Sequence, residues 1–588
     1  MAVAASAGTA RQERSGPMEQ TSSESKIRRI VIIGAVAAGT SAAAKARRND
    51  EQAEIILYER DRFISYSGCG LPYFIGGSVA RIEELTPRDP AFFKGKYNVD
   101  VLIRHEVMSI DPATKSLVVR DLDSERIFTD HYDTLILATG ASSVRPQFSG
   151  MDRKHVFTLR SPDDAIAIRS YIDQNNPTAA VVIGSGFIGL EMVENLVRAG
   201  MKVTLIEKLP QVCPFLDPDM APRLEQYLVK QGVAVLTGRT AASIEEQTVV
   251  CDDGRRIPAD LVLVAVGIRP NTRLASAAGV KLGHTGAIAV DRSMRTNIPD
   301  LYACGDCAES YSVVDGRPLY RPLGSTANKQ GRITGDVITG GTLQHRGIAG
   351  TGIFQVFEMG IAATGLTEKE ARESGYDVVV NHNIKPDKPV YFGGREMVIK
   401  SIADRRTEKL LGVQIVGFGG VDKRIDVFVV AMTAGLKVSD LFHLDLAYAP
   451  PYATTKDPVH YTGMILDNAI NRGRDLITAD ELTRIQDEQG SDSIQVIDTR
   501  VAKQYAQGHA REAINLPHAV LREKINELDP EKPVVTYCNK GVTGNAVQNI
   551  LINRGFKKVY CLSGGYNQYK AGRPTRETDP QQSGDNGM

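Results

Sequence analysis

The sequence predicts an α/β protein made of two copies of one strand–turn–helix–strand unit, a mixed α+β domain and a C-terminal domain of alternating strands and helices. Three observations predict it. RRIVIIGAVAAGTSAAAKARR followed by EIILYER, and AAVVIGSGFIGLEMVENLVRAG followed by KVTLIEK, share one pattern: an apolar strand, a glycine turn, a helix and a second strand ending in an acid. The stretch from Thr351 onward carries mixed patterning, with aromatics in proline-flanked loops. The last hundred or so residues switch between short β-branched runs and helical periods.

The composition bounds the function. A chain of 588 residues has room for roughly three to five domains. With 42% hydrophobic and 24% charged residues it is an ordinary globular sequence. Zero net charge points away from nucleic acid and anionic membrane surfaces. No apolar run approaches the roughly 20 residues of a membrane span. Seven cysteines over this length do not make a disulfide framework, so a cytoplasmic location with reduced thiols is expected. No metal site is expected. Residues 1–26 lack an apolar signal core and read as a disordered leader or an expression remnant, with Met18 a second candidate start. Residues 573–588 read as a disordered tail.

Each repeated unit has the dinucleotide-binding arrangement, because glycines let the backbone approach a pyrophosphate and the helix N-terminus supplies amide donors. In the second unit Gly184, Gly186 and Gly189 complete the G-x-G-x-x-G spacing; in the first, Gly34 and Gly39 flank Val36. Glu59 and Glu207 end the second strands and would accept from ribose hydroxyls. A carboxylate at Glu207 repels a 2′-phosphate, which favours NADH over NADPH, although Lys208 follows it. These are two Rossmann-like domains.

YDTLILATGA runs a buried strand into the turn Ala138, Thr139, Gly140, and LYACGDCAE delivers Asp306 at a strand end. With the two glycine units they resemble the two-dinucleotide flavoprotein disulfide reductases from about Ile27 to Gly463. The resemblance implies FAD in the first unit, with Asp306 on its ribityl chain and the ATG turn closing over it, and NADH in the second. It implies an FAD domain in two parts, 27–150 and 274–345, around an NADH domain of 151–273, then a dimerisation domain of 346–470. Cys304 and Cys307 have the spacing of a redox pair; the other reading is two small buried residues beside the flavin motif.

SYSGCGLPY holds one cysteine, Cys69, where glutathione-reductase-like members carry two. The stretch resembles the coenzyme A-disulfide reductases, with Gly68 where an Asn is common. The partner of Cys69 would then be a sulfur brought by a small thiol, and its thiolate should be favoured by the flavin environment and a helix N-terminus. The same resemblance implies coenzyme A contacts at Ser41, Lys45, Arg48 and Ser65; the other reading of those cations is a solvated basic face. It also implies two tyrosines of the dimerisation domain, Tyr391 and Tyr448, reaching the partner subunit's cysteine as proton donors, with Lys456 nearby as a substrate contact. A homodimer is expected.

IQVIDTR, GHAREAINLP, VVTYCNKGVTG and CLSGGYNQYK resemble a rhodanese domain over 475–572. Cys538 opens a six-residue loop into a helix, where successive amides stabilise a thiolate or persulfide. CNKGVT is similar to the CRKGVT loop of thiosulfate sulfurtransferases, with Lys540 kept and Asn539 in place of Arg. The whole arrangement resembles coenzyme A-disulfide reductase–rhodanese fusions. That resemblance implies NADH- and FAD-dependent reduction of polysulfide, coenzyme A persulfide or coenzyme A disulfide through Cys69, releasing hydrogen sulfide, with Cys538 relaying sulfane sulfur. Two other functions fit the residues: an NADH oxidase or peroxidase cycling Cys69 as sulfenic acid, or a sulfur carrier or sensor built on a Cys538 persulfide. Cys213, Cys251 and Cys561 carry no motif and read as structural.

Overall fold

A computed structural model describes residues 27–571. The leader 1–26 and the tail 573–588 lie outside the described residues.

Arg29–Ile33 pairs in parallel with Glu54–Tyr58 on one side and Thr134–Leu137 on the other. Asp100–Leu102 and Leu301–Ala303 complete a parallel five-stranded sheet at its two edges. Its central strands are almost continuously buried, as a sheet covered on both faces requires. One cover is the alanine-rich helix Ala37–Asn49, which packs against Gly324–Val337. The approach is close because the residues are small: a Cβ on Gly331 would meet the Ala38 carbonyl oxygen at 2.2 Å.

The second unit repeats the plan without interruption. Ala179–Ile183 lies between Lys202–Glu207 and Leu261–Val264, with Ala234–Thr237 and Val156–Phe157 at the edges, all parallel. The two units are joined by two crossing segments, Ala141–Ser143 and Ile268–Pro270, which pair antiparallel. This short ribbon sets one sheet's strand ends beside the other's.

The third domain is an antiparallel sheet ordered Gly352–Val356, Met359–Gly365, Leu410–Gly417, Glu396–Asp404, Val378–Pro386. Helices Val421–Ala434 and Pro458–Asn471 bury its apolar side around Phe428, Ile415 and Leu466. The C-terminal domain is a parallel sheet ordered Leu476–Ile477, Val559–Leu562, Val534–Tyr537, Gln495–Asp498, Ala513–Asn515. No helix among the described residues is long and apolar enough to cross a membrane.

The C-terminal domain is fastened to the second and third. His382 stands between Ser563 Oγ (2.9 Å from Nδ1) and Asp219 Oδ2 (2.8 Å from Nε2), and its own amide donates to Ser563 Oγ at 2.7 Å. Arg223 donates to Gln568 Oε1 at 2.8 Å, and Gln568 returns a bond to the Asp219 carbonyl. Three segments far apart in sequence meet at this junction.

Candidate active sites

A cavity of about 780 Å³ opens at the strand ends of the first unit, lined by Gly34, Val36, Glu59, Thr139, Gly140, Asp306 and Arg160 among others. Gly34 has φ +106°, and a Cβ there would meet the Ala138 carbonyl oxygen at 2.2 Å. Only glycine lets the first turn and the ATG turn meet so closely. The helix Ala37–Asn49 starts at Val36 with no side-chain cap, leaving its first amides free for an anion. Glu59, buried at the next strand end, accepts from the amides of Ala35 at 2.8 Å and Asp61 at 3.1 Å. The expected ribose acceptor therefore also holds the glycine turn in shape. Asn271 clasps the ATG turn: its Nδ2 donates to the Thr139 carbonyl at 2.8 Å and its amide to the Gly140 carbonyl at 2.9 Å. Asp306 takes 2.7 Å hydrogen bonding from Arg160. An uncapped helix, room at a glycine turn, a ribose-side carboxylate and a cavity of this volume fit a dinucleotide such as FAD.

The second unit is built alike. Gly184 has φ +102°, and the helix Phe187–Arg198 begins at Gly186 without a side-chain cap. A Cβ on Gly189 would strike the Gly184 carbonyl oxygen, while Gly186 faces open space. Glu207 accepts from the Ser185 amide at 2.9 Å, the Ser185 hydroxyl at 2.6 Å and the Leu209 amide at 2.8 Å. The pyrophosphate place and the acid at the strand end are both present.

Cys69 lies between the two units. It occupies the single turn Gly68–Gly70, which runs into the short helix Leu71–Ile75. It is exposed, whereas the other six cysteines are buried and all seven are free thiols. Burial within its cleft pushes the Cys69 thiol up, Glu191 and Asp306 add to the rise, and Arg160 opposes it. The protein's own groups thus favour the thiol over the thiolate, burial first and the carboxylates after it, and the helix beyond has only five residues, so the expected lowering is left to the bound flavin. Asp306 and Arg160 line the first cavity; Glu191 belongs to the nucleotide helix of the second unit. The sulfur is thus set where the two dinucleotide sites meet. Cys304 and Cys307 are both fully buried, and the Cys307 thiol donates to the Leu137 carbonyl, so they are packing residues of the strand end.

Cys538 ends the strand Val534–Tyr537, and its loop enters the helix Val542–Asn553 through Gly541 at φ +93°. The SGG turn backs it. Tyr566 and Asn567 donate their amides to the carbonyls of Cys538 (2.8 Å) and Asn539 (3.0 Å), and a Cβ on Gly565 would collide with the Cys538 carbonyl oxygen. Arg500, buried and paired with Asp498 at 2.6 Å, donates to Asn539 Oδ1 at 3.3 Å and stacks 4.2 Å from the Tyr566 ring. Asn539 is thus a braced acceptor at the position where the similar loops carry Arg.

Three family profiles match the chain: Pyridine nucleotide-disulphide oxidoreductase over 28–331, its dimerisation domain over 353–458, and Rhodanese-like domain over 478–572. The chain belongs to the pyridine nucleotide-disulphide oxidoreductases. It is 37% identical to the NAD(P)H sulfur oxidoreductase (CoA-dependent) of Pyrococcus furiosus over 75% of this chain and 99% of that protein. Among solved structures it is similar to reduced Bacillus anthracis CoADR-RHD, with TM-score 0.90, 35% identity, and 93% and 98% of the two chains covered. A NAD-dependent persulfide reductase from A. fulgidus gives TM-score 0.84 and 36% identity, covering 92% of this chain and 99% of that one. An oxidoreductase of this family uses FAD and NAD(P)H.

The expected coenzyme A residues of this oxidoreductase are gathered near the first helix, each with a partner in the chain. Ser41 donates to Asn328 Oδ1 at 2.6 Å, and Lys45 pairs with Asp336 at 3.0 Å. Arg48 lies over the Tyr97 ring at 5.4 Å and reaches its hydroxyl at 3.2 Å. Although i,i+3 on one helix, Lys45 and Arg48 turn to different neighbours. Ser65, at φ +47°, accepts from Arg88 at 3.3 Å. Tyr391 and Tyr448 are 75% and 49% exposed, so neither is aromatic filler; Val390, Phe392, Phe442 and Tyr452 of the same domain are exposed as well. Lys456 is exposed in the loop before the helix Pro458–Asn471.

Four residues that shape these sites are not singled out by the sequence: Asn271, Arg160, Glu191 and Arg500. Only Glu191 had a local signal, as the acid in GFIGLE on the second glycine helix.

Proposed function

We propose that the protein reduces coenzyme A persulfide and polysulfide, and coenzyme A disulfide, with NADH. One observation carries the reading: a lone exposed thiol, Cys69, stands between the groups of the first dinucleotide cavity and the helix of the second, with no cysteine beside it. Gly34, Gly39, Glu59, the ATG turn and Asp306 would hold FAD, which when bound would supply the two-electron chemistry between NADH and the sulfur at Cys69. The Cys69 thiolate attacks the coenzyme A-bound sulfur of a persulfide; a mixed disulfide forms, the S–S bond of the persulfide breaks, and HS⁻ leaves with its electron pair. Reduction of the mixed disulfide returns the Cys69 thiolate and coenzyme A thiol. Ser41, Lys45, Arg48 and Ser65 hold the nucleotide end of coenzyme A, and Lys456 assists from the third domain.

Tyr391 and Tyr448 donate protons to the leaving sulfur in a partner subunit, so each site of a homodimer is completed across the interface. The exposure of both tyrosines, with other exposed apolar side chains of the same domain, supports this assembly. Glu207 makes NADH the preferred donor over NADPH. Cys538 loads sulfane sulfur and passes it to coenzyme A thiol. Free thiols throughout support a cytoplasmic location.

The test is Cys69→Ser. It should abolish NADH oxidation with coenzyme A persulfide, polysulfide and coenzyme A disulfide while the protein keeps its flavin. Half of the parent's persulfide activity in that variant would overturn the reading, and rapid NADH consumption with oxygen alone in the parent would favour an oxidase instead.

A further inference from the structure

The Cys538 loop does not face solvent alone. Lys540, two residues along, forms an ion pair with Glu396 of the third domain. Glu396 opposes Pro386 on the neighbouring strand, and Lys385 precedes that proline. The ammonium of Lys385 feels the charges of Lys540, Cys538 and Lys456. Two domains therefore converge on one sulfur, and the junction at His382 and Ser563 fixes their relation.

Lys385 is half-buried and, among the described residues, makes no ion pair. Its near neighbour is the Tyr461 ring, 3.9 Å from Nζ. Burial first, then Lys540 and Lys456, pull its ammonium down, while the Cys538 sulfur holds it up. Lys540 and Lys456 both act on Lys385, and among the described residues only Lys540 of the three has a carboxylate partner, Glu396. A half-buried cation without a counter-ion is costly unless an anion arrives.

We propose that Lys385 completes the Cys538 site from the third domain, as the cation that receives a dianionic sulfane-sulfur donor. This rests on the relay reading of Cys538. The donor class is an inorganic sulfur dianion, a polysulfide chain or thiosulfate. Its approach sets two negative charges against a thiolate, and the lysines offset that repulsion. In the transfer, the Cys538 thiolate attacks the sulfane sulfur and a new S–S bond forms. The bond to the rest of the donor breaks, and that remainder, a shorter polysulfide or sulfite, leaves with the electron pair. No outside oxidant is needed.

The experiment uses full-length, flavin-loaded Cys69→Ser protein, so that sulfur stays where it loads. Persulfide formation at Cys538 is timed by mass spectrometry with sodium tetrasulfide and with thiosulfate. Alkylation of Cys538 by iodoacetate, an anion, is compared with alkylation by neutral iodoacetamide. Lys385→Met should slow loading and iodoacetate by about ten-fold or more, the scale on which a local field raises on-rates. Iodoacetamide should be unaffected, and Lys385→Arg should restore the anion rates. Lys456→Met, at an exposed position, should slow anions in the same sense but less. Loss with tetrasulfide alone assigns the site to polysulfide, and loss with thiosulfate alone assigns it to thiosulfate. Unchanged loading in Lys385→Met, or equal slowing of both alkylating agents, overturns the proposal while leaving the relay standing. No loading in the Lys385-containing parent overturns both.

Discussion

Lys400 Nζ sits 2.7 Å from Oδ1 of Asp219, joining the third domain to the second dinucleotide domain with a lysine that is 1% exposed. Asp217 at 3.1 Å and Glu368 at 2.8 Å complete its shell. Burial alone would lower this ammonium, yet the three carboxylates hold it above the usual lysine range. Burial would likewise raise Asp219, and Lys400 with His382 keeps it well below the carboxylate range. Lys400→Met should cost about 3–5 kcal/mol, because it strands buried carboxylates without their cation. Thermal unfolding at neutral pH and limited proteolysis between the third and C-terminal domains would read it. An unchanged melting temperature with an intact junction would contradict the assignment.

Glu191 should tune Cys69. Burial, with Glu194 adding, pushes its carboxyl up to about 7, and it faces the Cys69 thiol. Glu191→Gln removes a charge that disfavours the thiolate, so the pH midpoint of Cys69 alkylation should fall. The stability consequence has a definite sign. Between its ordinary 4.5 and about 7 the folded state keeps the Glu191 proton that the unfolded chain has lost. Stability from this group therefore declines as pH rises through that window, and the Gln variant should lack the decline. A Cys69 midpoint that does not move would show the carboxylate to be screened from the sulfur.

Glu207→Ala should shift the preference between NADH and NADPH by about 1–3 kcal/mol, the range of charged hydrogen bonds lost and repulsion relieved. Part of the effect will come through the turn, since Glu207 also holds Ser185 and Leu209. The separating measurement is KM for each nucleotide beside thermal stability. A parent enzyme that already prefers NADPH would refute the assignment.

Tyr448→Phe should lower turnover by about 100-fold, the lower range for a positioned proton donor, with little change in flavin content. Mixing this variant with Cys69→Ser after subunit exchange should recover activity in hybrid dimers. Absence of recovery despite confirmed exchange would place each site within one subunit.

What could be read from the sequence was local. The glycine turns, the acids at the strand ends, the ATG turn, Asp306 and the two cysteine loops each announce themselves within about twenty residues, because the turn, the helix start and the following strand are consecutive. What could not be read depends on segments meeting across the fold. Asn271 clasps a turn that lies far back in the chain, and Arg500 braces a loop formed later. Lys385 and Lys540 come together across two domains. The surroundings of Cys69 were hidden for the same reason. The short helix after the cysteine was visible, but the burial of its cleft and the carboxylates of Glu191 and Asp306, which arrive from two other elements, were not.

The parallel pairing of Leu301–Ala303 with Thr134–Leu137 has a consequence for how the chain is made. The second dinucleotide sheet is laid down entirely between those strands, so during synthesis it can close while the first still lacks its edge. At about 5–20 residues per second, on the order of ten seconds or more pass between the emergence of Leu137 and that of Leu301. Asp306 emerges later still, so the flavin cavity gains its last wall only after the inserted domain is complete. Flavin supplied during translation should therefore protect ribosome-bound chains from protease only once they extend past Asp306.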